Sequence, residues 1–406
     1  MGRVLTIVLL GMAVDNALLL WKARVHMAQG YFDFANFYTA GKLVRRGQSA
    51  ELYDSGAQWR VQQEFFSQVN IRRAPMRYLR PPFEALFFSV FAAWPYPTAL
   101  LVFTVLTLAL LAAIPFIVVR GRRWQEGFPL GLTPILIVGT FPAFMDLIMG
   151  QDAALLALLF ALCFWQLETG RDVWAGATLG LALFKFQLAL PFFFVLWIAG
   201  RKRVVAGFLL SASILCAIST VIVGWRGVLK YPGYLLALSH AKGVGISPEI
   251  QITLRGLLTF LGKRVSDSRS SDWMLAAVAV GAIVYTGLLW RRAGESFLAE
   301  GFGLGAIIAI VTSYYASDYD LLVLIVPLLA MRTRPGAADA RRADSLTRYL
   351  ETSGLLLLLL TPLYWFTRLQ LHAECLMTIP LLAVGVALAR RLRDARAGRL
   401  IAGDTE

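Results

Sequence analysis

The sequence predicts an all-α polytopic membrane protein, a bundle of about 11–13 transmembrane helices with a helical first extracytoplasmic loop. Composition, charge depletion and the spacing of apolar runs predict it. Of 406 residues, 58% are hydrophobic, and the mean hydropathy is +0.64. Only 16% are charged, against about a quarter in a soluble domain. The apolar residues form runs suited to crossing a bilayer, and short Lys/Arg clusters separate many of them.

A spanning helix needs about 20 residues to cross roughly 30 Å of hydrocarbon. Candidate spans are 4–21, 97–119, 129–147, 151–168, 173–184, 187–199, 204–223, 274–290, 297–312, 319–331, 352–366 and 374–389. The first lacks a small-residue cleavage site and reads as a retained helix. Run 82–94 is short and is followed by Pro95 and Pro97, which fits an interfacial or re-entrant segment. With the N-terminus inside and 82–94 not crossing, Arg120–Arg123, Arg171, Arg201–Arg203, Arg291–Arg292, 332–348 and Arg390–Arg399 all fall on the cytoplasmic side. The positive-inside rule expects that agreement, and counting 82–94 as a crossing breaks it from Arg120 onward. Loop 22–82 is outside yet Arg-rich, and loops of about 60 residues lie at the limit of the rule.

Runs 173–184 and 187–199 are too short for full crossings, at roughly 18 Å of helix each. Between them lies Phe184-Lys185-Phe186-Gln187, a turn that would sit below the outer surface beside a cavity. The chain reads as one integral-membrane domain, 1–406, with extracytoplasmic loops 22–82 and 224–273 and a cytoplasmic linker at 332–348. The expected location is the cell membrane, multi-pass, with the active face extracytoplasmic.

The net charge of +14 does not indicate nucleic-acid binding, because most basic residues cluster between apolar runs. Cys163, Cys216 and Cys375 lie far apart in apolar stretches, without the spacing of a metal site or disulfide frame. No HExxH, Walker loop or dinucleotide fingerprint occurs, so catalysis on a bound cytosolic nucleotide is unsupported.

Under this topology the outer segments collect Asp33, Gln151, Asp152, Lys185, Gln187, His240, Glu249, Gln251, Arg255, Asp318, Asp320 and His372. Polar groups adjoining apolar spans are costly unless paired or functional. Asp33 lies in Tyr31-Phe32-Asp33-Phe34-Ala35-Asn36-Phe37-Tyr38, where aromatic neighbours would desolvate it and favour general-base work. The competing role is an N-cap for helix 34–46. Asp318 and Asp320 open a span, either as caps or as partners of a sugar hydroxyl or basic group. Lys185 and Arg255 are candidate phosphate ligands, against a snorkelling lysine and a surface arginine. His240 and His372 read as loop residues, and Asp15 and Asn16 in the first span as an interhelical polar contact.

Four passages resemble glycosyltransferase family 87, also catalogued as a domain of unknown function. The first is Asp33-Phe34 through Tyr38, Ala40-Gly41, Gly47 and Leu52-Tyr53-Asp54, then Pro81-Pro82 and Trp94-Pro95-Tyr96. The second is Gly150-Gln151-Asp152, through Ala175-Gly176 to Lys185-Phe186-Gln187-Leu188-Ala189-Leu190-Pro191. The third runs from Ser247 through Leu254-Arg255-Gly256-Leu257, and the fourth is Asp318-Tyr319-Asp320-Leu321-Leu322 with Pro327. Asp152 stands where the family commonly has Asn, and Phe186 where Pro usually follows the Lys.

The resemblance implies a GT-C class transferase moving a mannose-like hexose from a polyprenyl-phosphate-sugar donor to an extracytoplasmic lipid or glycan acceptor. It implies inversion, with Asp33 as base. Lys185, Arg255, Gln151, Gln187, Asp318 and Asp320 would bind donor phosphate or substrate, with arginines of 72–80 as further candidates. No cofactor, metal or nucleic acid is expected, and the partners are donor, acceptor and membrane lipids. A lipid or sugar transporter is the main rival, but the long loop 22–82 has no counterpart in the second half. A non-catalytic envelope assembly protein is a third reading.

Overall fold

A computed structural model describes residues 2–66, 75–120, 130–240, 248–262, 269–332, 345–359 and 361–402. These are almost wholly helical, and no strand occurs among them. By length and composition, seven helical segments among them suit a membrane crossing, counting residues 172–198 as one. The protein is an all-α polytopic membrane protein.

Helix α1 spans Gly2–Ala28, seven residues beyond the predicted span. Asn16 donates to Val138 O at 3.1 Å, the interhelical contact expected of it, whereas Asp15 is exposed. The first loop carries α2 (Phe34–Arg45), α3 (Ser55–Phe66) and α4 (Pro82–Phe91). At ten residues α4 is about 15 Å long, too short to cross. It packs on α2, where Gly41 lets the helix backbone approach Phe88 O. Arg72 and Arg73 lie outside the described residues.

Helix α5 (Tyr96–Val119) is followed by α6 (Thr133–Val138) and α7 (Phe141–Met149), so the predicted span 129–147 is broken. The break falls at Gly139-Thr140, with Pro142 in the first turn of α7. Helix α7 ends at Gly150, whose φ of 62° is left-handed and suits glycine. That turn delivers Gln151 and Asp152 to the start of α8 (Ala153–Glu168). Asp146 accepts from Ala153 N at 2.9 Å and Ala154 N at 3.1 Å, satisfying first-turn donors that α8 itself cannot.

Helices α9 (Asp172–Leu181) and α10 (Phe186–Ile198) flank a 3₁₀ turn at Ala182–Lys185. A straight helix over 172–198 would separate its ends by about 40 Å. Instead Arg201 Nη1 lies 3.1 Å from Asp172 Oδ1, so the chain folds back and the two ends sit side by side. The two short predicted runs are thus a hairpin with Lys185 at its tip. Arg201 also pairs with Glu295, gathering three helix ends at one end of the bundle.

The stretch α11 (Lys202–His240) is two helices meeting at Gly224, whose φ of 72° is not helical, so the first ends where the predicted span does, at 223. Part of the predicted loop 224–273 is therefore helix, followed by α12 (Leu254–Leu261) and α13 (Arg269–Ala293). Ser247 lies outside the described residues, as does most of the predicted linker 332–348. Helix α14 (Leu298–Thr312) leads to a 3₁₀ helix at Asp318–Leu324 and α15 (Ile325–Arg332). Next come α16 (Ser345–Leu359), α17 (Thr361–Trp365), a π-helical turn at Phe366–Gln370 and α18 (Thr378–Ala402).

Helix α9 runs against α11 through Gly176 and Gly207, positions where a side-chain carbon would collide with the facing backbone at Val204 and Val173. Ser211 Oγ donates across this seam to Ala177 O at 2.8 Å. Small residues four apart permit such approach where burial supplies little drive between helices in lipid. This seam holds the Lys185 turn in place. Gly207→Val is therefore expected to lower thermal stability in detergent by about 1–3 kcal/mol or more. Gly281→Ala, where an added carbon meets nothing, should leave the melting temperature unchanged or higher.

Candidate functional site

Segment 75–81 between α3 and α4 is extended, so its backbone groups need partners outside a helix. Side chains supply them. Gln62 pairs with both Met76 N and Met76 O, at 2.9 and 2.8 Å. Gln58 Oε1 accepts from Tyr78 N at 3.2 Å. The hydroxyls of Tyr234, Tyr231 and Tyr53 donate to the carbonyls of Tyr78, Leu79 and Arg80 at 3.3, 2.9 and 2.8 Å. These contacts fix the backbone that carries Arg80.

Arg80 reaches from there into the helix connections. Its Nη2 lies 3.2 Å from Gln151 Oε1 and 3.3 Å from Asp152 Oδ1, and Nη1 lies 3.4 Å from Phe184 O. Gln151 uses its amide nitrogen in the other direction, donating to Asp33 Oδ2 at 2.8 Å. Asp152 Oδ1 also meets Lys185 Nζ at 3.0 Å, and Lys185 Nζ meets Asp320 Oδ1 at 2.6 Å. Asp320 Oδ2 accepts from Ser317 N at 2.9 Å, capping its own 3₁₀ helix. One chain of contacts thus links Asp33, Gln151, Arg80, Asp152, Lys185 and Asp320, from five separate segments.

Burial divides these residues. Lys185 is 0% exposed, and the Arg80 side chain retains 12%. Asp33 is half-buried at the head of α2 and makes no side-chain cap, so the N-cap alternative does not describe it. The next residue, Phe34, belongs to a buried cluster with Tyr38, Phe88, Tyr96 and Phe103, and its ring stacks on Phe103 at 5.1 Å. Burial, followed by the Asp33 carboxylate, pushes the Tyr315 phenol up to about 12.

Arg255 and Gln187 stand apart from this network. The Arg255 guanidinium lies 4.0 Å over the Tyr314 ring, a cation–π contact. Gln187 is half-buried in the first turn of α10. His372 is exposed with φ 48°, and Glu249 lies in a short 3₁₀ turn. Nothing is described of the His240 side chain.

Sequence reading missed Glu84, Asp146, Arg368 and Glu374, and singled out Arg80 only within a group. Glu84 is buried, with its Oε2 3.0 Å from the Tyr78 hydroxyl. Glu84 Oε1 and Asp152 Oδ2 find no donor among the described residues, and the two groups neighbour one another. A proton shared between them satisfies both atoms. Burial, and then the Asp152 charge, raises the Glu84 carboxyl well above its usual range. Burial opposes the Arg80 charge, but Asp152 and then Glu84 leave its pKa raised. The one signal for Glu84 was a lone acid in an apolar helix.

Asp318 faces a second group. Its Oδ1 accepts from Tyr319 N at 2.9 Å, and its Oδ2 lies 3.4 Å from Arg368 Nη1. Arg368 Nε lies 3.2 Å from Glu374 Oε1.

This is a polytopic membrane protein whose loops and helix connections build one polar site at one end of the bundle. The sequence profile of glycosyltransferase family 87 matches residues 78–317, more than half of the chain. The chain belongs to that family and is a membrane glycosyltransferase. The match takes in Arg80, Gln151, Asp152, Lys185 and Arg255, and leaves Asp33 and Asp320 outside it. No curated protein matches the chain.

Lys185→Met would leave Asp152 and Asp320 short of their shared cation in a buried setting. The expected loss is about 3–5 kcal/mol, read as a lower melting temperature in nanodiscs. Adding Asp152→Asn and Asp320→Asn should recover most of it.

Glu84 gives a pH dependence. Its folded pKa lies above the unfolded value near 4.5, so its stabilising contribution is full below that value. It is lost as pH rises through the folded pKa. Melting temperature should therefore decline as pH climbs from about 5. Glu84→Gln, which stays neutral and still donates towards Asp152, should flatten that decline.

Proposed function

We propose that the chain moves a mannose-like hexose from a polyprenyl-phosphate-sugar donor to an extracytoplasmic lipid or glycan acceptor, with inversion. The observation that carries this reading is the contact between Asp33 and Gln151 at the head of the charged network. A base must be ionised, oriented and reachable by the acceptor. Asp33 is half-buried and receives a hydrogen bond that favours its carboxylate form. It would take the acceptor hydroxyl proton as the new glycosidic bond forms and the bond to phosphate breaks.

The leaving phosphate gains charge as that bond breaks, and a fixed cation lowers the barrier. Charge pairing favours Arg80 over Lys185 for this role. The Lys185 ammonium is held directly by two carboxylates, at 3.0 and 2.6 Å, whereas Arg80 has one at 3.3 Å and keeps an exposed edge. Lys185 then acts behind the site, fixing Asp152 and Asp320. Arg255 supplies a second cation of the same sign for the lipid headgroup, and Gln187 a polar group beside the Lys185 turn. The basic segments between spans put this end of the bundle outside the cytoplasm under the positive-inside rule.

Purified protein, incubated with a radiolabelled polyprenyl-phosphate hexose and a membrane lipid extract, should produce a labelled product. Asp33→Asn should cut transfer by about 10²-fold or more at unchanged melting temperature. Near wild-type transfer by that variant removes Asp33 as base. Substrate-dependent flux without product would favour a transporter.

A further inference from the structure

Asp318 and Asp320 lie two residues apart on one 3₁₀ helix but serve different groups. Asp320 belongs with Lys185. Asp318 belongs with Arg368 and Glu374, where two buried carboxylates share one guanidinium that is 32% exposed. The carboxylates outnumber the cation, so a phosphate is disfavoured there. Groups that donate hydrogen bonds without carrying negative charge are favoured.

Two further buried groups adjoin this cluster with hydrogen-bonding capacity unused. Tyr364 is 0% exposed, precedes Arg368 by one turn on the same helical stretch, and its hydroxyl has no partner among the described residues. Gln251 is 2% exposed, and neither its amide nitrogen nor its oxygen has a partner among them. Its loop is tied on one side to the segment of Asp318, by Ile252 N donating to Ala316 O at 2.9 Å. On the other side it is tied to the segment of Glu374, by Thr378 Oγ1 lying 3.4 Å from Thr253 O. Leaving such atoms unpaired costs stability, and a bound ligand that pairs them explains their retention.

We propose that Asp318, Glu374 and Arg368, with Gln251 and Tyr364, form the pocket that reads the ring hydroxyls of the transferred hexose. Adjacent hydroxyls both donate and accept. Carboxylates take the donated bonds, the guanidinium gives bonds back, and a carboxamide does both. The pocket lies next to the charged network because Asp318 and Asp320 share one short element. The assignment rests on the hexosyl-transfer reading and names which part of the site selects the sugar.

The test uses full-length protein in nanodiscs with a polyprenyl-phosphate hexose and its monodeoxy analogues. Wild type should prefer the parent over at least one monodeoxy donor by about tenfold or more in kcat/KM. Gln251→Leu and Tyr364→Phe should each lose about tenfold on the parent donor and little on one monodeoxy donor, so that preference collapses. Their melting temperatures without substrate should equal or exceed that of wild type, because each change removes unpartnered buried atoms. Preference unchanged in both variants would overturn the proposal. So would a fall in melting temperature with preference intact, which marks a structural role. If wild type transfers no hexose from any such donor, the hexosyl-transfer reading fails and this assignment falls with it. Parent transfer with intact preference in the variants sinks the pocket alone.

Discussion

An ammonium with no exposed surface persists only beside compensating charge, and Lys185 finds it in Asp152 and Asp320. That requirement organises the bundle around it. Asp152 stands after the left-handed turn that ends α7, and Asp320 stands in the 3₁₀ helix that follows α14. The Lys185 turn must reach both, so α9 and α10 stop short and fold back. The close glycine seam between α9 and α11 sets the position of that turn. Isolated carboxylates at such positions would be costly. Joined through one lysine, they fix three helix connections in register.

The same ion pairs orient the residue that meets Asp33, the proposed base. Arg80 spends part of its charge on Asp152 and presents the amide of Gln151 to Asp33 with a defined orientation. A carboxamide whose oxygen is held by a guanidinium has its nitrogen committed to the opposite direction. From Gln151, Asp33 thus receives an uncharged donor. Glu84 serves a related purpose below Asp152, since a protonated carboxyl adds a hydrogen bond without adding charge.

Much of this was legible in the sequence. Asp33, Gln151, Asp152, Lys185 and Asp320 were readable because each interrupts or adjoins an apolar run at a connection that basic clusters assign to one side. The non-crossing character of 82–94 was readable from its length and the prolines that follow it. Pairing was not readable. Lys185 alone looks like a phosphate ligand, and only the positions of Asp152 and Asp320 show its charge already engaged. Arg80 merged into an arginine-rich loop, because the tyrosines that fix its backbone come from segments far along the chain. Arg368 and Glu374 sit near a span boundary that the hydropathy pattern placed without regard to the π-helical turn that carries Arg368. The span end at 223 was readable, since Gly224 does break the helix, but the second helix beyond it was not, because Gly227 and Pro232 read as loop residues.

The 3₁₀ form of residues Asp318–Leu324 ties these strands together. With three residues per turn, positions two apart point in different directions, whereas those three apart eclipse. Asp318 and Asp320 can therefore face Arg368 and Lys185 from a single turn of backbone. The same capped turn carries the buried Tyr319 ring between the two carboxylates, with the Lys185 ammonium 4.7 Å from that ring. The aspartate pair that resembled one motif in sequence is thus a divider between two clusters. One side meets the network that reaches Asp33, and the other meets the groups with hydrogen bonds still to make.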